Sequence, residues 1–104
     1  MLHIYNRYIP LKGFACIYLF GLLFVRTDAV LTPYALNHER IHAAQAREML
    51  YILFYLWYVI EWLFRSVQYR SIKKGYCNIS FEREAYENMY DLDYLDWRNH
   101  YAWL

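Results

Sequence analysis

The sequence predicts an α+β fold: a short N-terminal strand pair, one long helix, then a second helix. Three observations carry that expectation. Two short apolar runs, FACIYLF and LLFVR, flank Gly21. Runs of this length, rich in Phe, Ile, Tyr and Val around a glycine, suit a buried hairpin or bent strand, with a buried helix as the alternative. Thr32-Pro33 then offers an N-cap and a proline at the first helical position. From Pro33 to about Tyr69 there is no further glycine or proline, so one helix can run about 50 Å at about 1.5 Å per residue.

Asn37 is an alternative start for that helix, and both starts place His38 on it. Further along, Tyr51, Tyr55, Tyr58 and Trp62 recur at helical spacing and form one stripe. Packing is the reading such a stripe favours, with an aromatic wall beside a substrate groove as the sharper alternative. SIKKGYCN, residues 71 to 78, is the expected break, with Gly75 as its turn residue. Ser80 then caps a second helix over FEREAYENMYDLDYLDWRNHYAWL. No repeat, linker or low-complexity tract divides the chain, so residues 1–104 read as a single domain.

Bulk properties narrow the function. A chain of 104 residues builds a modest core and no deep cleft between two large lobes. Apolar residues make up 60% of it and aromatics 22%, more ring surface than a small domain hides. That surplus points to a homo-oligomer, a partner protein or peripheral membrane contact. Eleven basic and ten acidic residues spread along the chain leave no electrostatic footprint for nucleic acid. Cys16 and Cys77 lack zinc-finger spacing and read as buried free thiols. Asn78-Ile79-Ser80 matches a glycosylation acceptor that matters only in a secreted eukaryotic chain.

The longest uncharged runs, residues 13–25 and 49–60, fall short of the roughly 20 residues a spanning helix needs. Arg7 and Lys12 precede an apolar run as in a signal peptide, yet Arg26 and Asp28 stand where small cleavage-site residues belong. The N-terminal part is therefore expected to be an uncleaved structural segment of a cytoplasmic chain, with membrane association left open.

The chemistry concentrates in NHERIH, residues 37 to 42. Residues at i and i+4 share a helix face, so His38 and His42 can hold one Zn²⁺ through ring nitrogens at about 2.0–2.1 Å. Glu39, rotated about 100° from His38, can reach the metal's water without being a ligand, as a general base must. Two histidines and a glutamate near a helix start can also be solvated or capping groups. A catalytic zinc site needs a third protein ligand and an open fourth position, and the second helix opens with two candidates, Glu82 and Glu84.

HERIH, the apolar strand-like run before it and the downstream FEREAY together resemble the minimal core of the gluzincin metallopeptidases, the thermolysin-like branch of the zincins. The likeness is closest to small bacterial proteins with this core. It covers about residues 11 to 90, and its specific motifs occupy about ten positions. It implies a minimal zincin-like fold with His38 and His42 as zinc ligands, Glu39 as catalytic base and a second-helix glutamate as third ligand. The implied activity is zinc-dependent hydrolysis of a peptide or protein substrate, held in extended form along a strand edge.

Several relatives place the ligand glutamate three residues before an alanine, as Glu82 stands before Ala85. Thermolysin places it directly before alanine, which selects Glu84. Glu84 also shares a stripe with Asp91 and Arg98, which reads as a solvated charged face, so Glu82 is the expected ligand. The family's Asp or Asn four residues later is replaced by Tyr86 after Glu82, whereas Asn88 follows Glu84. Tyr86 could orient a metal histidine through its hydroxyl. No residue stands out as an oxyanion stabiliser; His100 and the tyrosines are candidates, and His3 and His100 otherwise read as ordinary surface residues. A reading of another class remains: a non-catalytic interaction or membrane-peripheral protein with a structural or vestigial zinc site.

Overall fold

A computed structural model describes residues 2–10 and 14–104; Lys12 and the first residue of the 13–25 run lie outside the described residues. The architecture is α+β. Strands β1 (Leu2–Asn6), β2 (Cys16–Leu19) and β3 (Leu22–Arg26) form one sheet in the order β1-β3-β2. β2 and β3 are the expected hairpin, antiparallel with Leu19 opposite Leu22. Phe20 and Gly21 between them have φ of 48° and 88°, the left-handed pair of a type I′ turn whose twist suits a hairpin. β1, which the apolar pattern did not reveal, pairs parallel with β3. β3 is thus central and carries the buried Leu23 and Val25, while β2 has no strand on its outer edge among the described residues. The two charges that argue against a cleavage site pair with each other, Arg26 Nε donating to Asp28 at 2.8 Å.

Helix α1 (Pro33–Glu48) starts as expected, with the Thr32 hydroxyl accepting from Ala35 N–H at 3.1 Å. It does not continue to Tyr69. The chain breaks after Met49, and α2 (Ile52–Tyr69) leaves at 111° to α1. Leu50 and Tyr51 both have positive φ. Leu50 N–H bonds to Arg47 C=O and Tyr51 N–H to Ala46 C=O, the two bonds of a Schellman closure with leucine where glycine is usual. Two strained residues are offset by what the bend permits: Phe54, Tyr55 and Tyr58 fold back onto the sheet and onto Phe81. No single helix among the described residues is long and apolar enough to cross a membrane.

Gly75 is not a turn residue. The chain reverses at Arg70, φ 53°, and Gly75 lies buried within α3 (Ile72–Cys77). A Cβ there would fall 2.3 Å from Ser66 Oγ and 2.6 Å from Ser66 Cα, so its missing side chain lets α3 close on α2. Helix α4 (Ser80–Asn88) is capped from outside, since Ser80 N–H and Oγ–H both donate to Glu61 Oε2, at 2.9 and 2.7 Å. The expected long second helix ends at Asn88, where Asn37 Nδ2 of α1 donates to the carbonyls of Met89 and Asp91, each at 2.9 Å. A short α5 (Tyr94–Trp97) follows.

Tyr18, Leu23, Val25, Ala46, Phe54, Ile79, Phe81 and Trp103 form the main core, and Ile41, Ala85 and Tyr94 a second cluster. Both cysteines are free; Cys16 is half-buried as a core-edge thiol, but Cys77 is exposed, contrary to the expected burial.

Candidate metal centre

Helix periodicity brings His38, His42 and Gln45 to the buried face of α1, and α4 lays Glu82 against them. His38 Nε2 and His42 Nε2 stand 3.1 Å apart, and both lie within 3.1 Å of Glu82 Oε1. All three residues are buried. Gln45 Nε2 donates to Phe81 C=O and Glu84 Oε1. Its Oε1 therefore faces His42 and accepts from Nδ1–H at 2.8 Å. That bond holds the ring by Nδ1 and leaves Nε2 as the atom aimed at His38 and Glu82.

Three donor atoms this close repel one another unless a proton or cation sits among them. On a tetrahedral zinc with ligand bonds of about 2.0–2.1 Å, donors stand about 3.3 Å apart, close to the separations here. The residues present therefore fit a metal ion. His38 Nδ1 is buried with no hydrogen-bond partner among the described residues, so the support seen on His42 is not repeated there.

Burial alone would lower His42, but the charge of Glu82, the hydrogen bonds to Glu82 and Gln45, and the charge of Glu39 push it up to about 9. Burial alone would raise Glu82, but the charge of His42 and hydrogen bonds from both histidines hold it well below the usual carboxylate range. Glu39 is raised, by burial first and by Glu82, against the opposing pull of both histidines. Its Oε2 accepts from Tyr18 N–H of β2 at 3.0 Å. Tyr58 donates its hydroxyl to Glu82 Oε2 at 2.5 Å, and burial followed by that carboxylate's charge raises its pKa.

A cavity of about 760 Å³ borders the site, with Glu39, His42, Tyr58 and Glu82 in its wall beside Ile17, Phe54, Tyr55 and Trp62. Tyr51, Tyr55, Tyr58 and Trp62 all pack against the core, as the favoured reading of that stripe had it. The last three also line the cavity, so the aromatic wall is present as well.

Glu84, expected on a solvated face, is 5% exposed. Arg98 Nε donates to its Oε2 at 2.5 Å, and the Tyr94 hydroxyl donates to the same oxygen at 2.7 Å. Tyr86 touches His38 by ring contact, centroids 4.5 Å apart, and Asn88 Nδ2 donates to Glu84 C=O at 2.8 Å. Neither takes the orienting role considered for it; Gln45, three residues beyond His42 on the same stripe, does. His100 is 93% exposed in its side chain beside Glu48 at the other end of α1, away from the cluster.

The fold and site define a small α+β protein with a buried His-His-Glu group able to hold a metal ion. No protein-family model, characterised protein or solved structure matches the chain, so its chemistry is read from the site itself.

Proposed function

We propose that the chain is a zinc-dependent peptidase of gluzincin type, with His38, His42 and Glu82 as metal ligands and Glu39 as general base. The observation that carries this is the convergence of three buried donor atoms beside a fourth, non-ligating carboxylate, with His42, Glu82 and Glu39 bordering one cavity. A structural zinc is closed by four protein ligands, whereas a catalytic zinc has three and an open position. A three-donor group with two of its members on a cavity wall favours catalysis over a structural or vestigial site.

Zinc held there supplies Lewis acidity, lowering the pKa of a water toward about 7 and polarising a carbonyl. Glu39 takes the proton of the attacking water and delivers it to the leaving amine. Tyr58, hydrogen-bonded to Glu82, fixes the ligand carboxylate. An extended peptide is held along the outer edge of β2, where Tyr18 N–H now bonds Glu39 and Phe20 N–H donates to the Tyr55 hydroxyl at 2.8 Å. These side chains yield the edge groups to substrate backbone.

The test is hydrolysis of casein and of quenched-fluorescence peptides by zinc-loaded protein. Wild type should cleave, lose activity to a chelator and regain it with zinc. Glu39→Gln should keep its zinc and lose about 10²–10⁴-fold in rate. Zinc loss in Glu39→Gln would overturn the base assignment, and an inert zinc-loaded wild type would overturn the peptidase reading.

A further inference from the structure

We propose that the cavity beside the metal centre takes the free C-terminal end of a peptide, with an apolar last residue against its aromatic wall and the α-carboxylate on Lys73, a substrate class that rests on the peptidase reading. The wall is largely apolar, with Ile17, Phe54, Tyr55, Trp62 and Ile72. Its volume of about 760 Å³ falls in the range of roughly 300–1,000 Å³ where small ligands are enclosed. Lys73 is the one Lys or Arg in that wall among the described residues, and it has no hydrogen bond or ion pair among them. Glu39 and Glu82 of the same wall are engaged by Tyr18 N–H, the two histidines and Tyr58. Lys73 therefore lacks an anion, and a carboxylate on an apolar body supplies one.

Position narrows that ligand to a chain end. The Ile72 carbonyl, next to Lys73, accepts from Trp62 Nε1 at 3.1 Å. Trp62 stands one turn along α2 from Tyr58, whose hydroxyl bonds Glu82. One turn is about 5.4 Å, the length of one to two residues of extended chain at about 3.3–3.6 Å each. With the scissile carbonyl at the metal centre, the one or two residues beyond it bring the carboxylate to Lys73. Water adds to that carbonyl, the C–N bond breaks and the leaving amine takes the proton from Glu39. A single amino acid or a dipeptide departs, and the shortened peptide carries the new carboxylate.

Binding and cleavage of N-acetyl-Ala-Leu-Phe, as the free acid and as the C-terminal amide, test this separately. Binding is read by calorimetry on zinc-loaded Glu39→Gln, which should hold the peptide without turnover. The acid should bind about 5-fold tighter than the amide, as one solvent-accessible ion pair allows, and high salt should shrink that preference. In Glu39→Gln/Lys73→Gln, with matching circular dichroism, acid and amide should bind alike. Wild type should release Phe or Leu-Phe from the acid and act more slowly on the amide. Equal binding of acid and amide to Glu39→Gln overturns the proposal, as does a preference that survives loss of Lys73; cleavage of both forms would then leave the peptidase reading standing. Acid bound through Lys73 but never cleaved by wild type removes the peptidase reading and keeps the carboxylate site. Dodecanoate that displaces the peptide with equal or higher affinity would assign the cavity to a fatty acid instead.

Discussion

Glu82 and Glu84 sit two residues apart on α4, 3% and 5% exposed, in opposite electrostatic settings. Around Glu84 charge is compensated: Arg98 bridges it to Glu48, with Nη2 2.8 Å from Glu48 Oε1, and Tyr94 and Gln45 complete its bonds. Around Glu82 are two histidines, Tyr58 and the nearby Glu39, and no Arg or Lys among the described residues bonds to either carboxylate. Gln45 joins the two regions, Oε1 on His42 and Nε2 on Glu84. A buried carboxylate with its own guanidinium is held by a permanent charge; one that shares its oxygen with two imidazoles has only titratable partners, whose proton a metal ion can replace. That contrast separates the ion-paired acid from the one in the His-His-Glu group, where sequence spacing alone left both in play.

The largest effect expected from breaking this contrast is on stability. Glu84→Ala leaves Arg98, which cannot shed its proton, beside Glu48 alone and should cost about 3–5 kcal/mol in urea unfolding. Glu82→Ala in zinc-free protein should cost only about 1–2 kcal/mol, because His42 can return to neutral. Equal losses would erase the distinction. A smaller effect is expected where the regions meet: Gln45→Leu removes the acceptor from His42 Nδ1–H and should weaken zinc binding about 10–100-fold. Chelator competition measures it, and unchanged affinity would mean that His42 is oriented without Gln45.

Much of this was legible before the structure. HERIH, the hairpin around Gly21 and the Thr32 cap are local patterns that spacing reveals, whereas Glu82 was preferred over Glu84 chiefly through the family resemblance of FEREA. The bend after Met49 was not legible, because its left-handed closure uses Leu50 and Tyr51 where glycine would have announced it. β1 was missed for another reason: five residues with a non-local parallel partner carry little periodicity. The pairing of Glu84 with Arg98 was hidden by the assumption of one continuous helix, on which the two share a face but stand about four turns apart. Ending α4 at Asn88 folds the chain back and turns that stripe into a buried ion pair. Gln45 could have been found, since it follows His42 on the stripe already drawn through His38.

Zinc per folded chain, determined by elemental analysis of wild type, Glu82→Ala and Glu84→Ala purified without added metal, tests the central claim most directly. Wild type and the folded fraction of Glu84→Ala should carry close to one zinc and Glu82→Ala almost none, because two histidines leave the site short of its third protein ligand. No zinc in wild type, or zinc kept by Glu82→Ala and lost by Glu84→Ala, would contradict the assignment of this cluster as a metal centre built on Glu82.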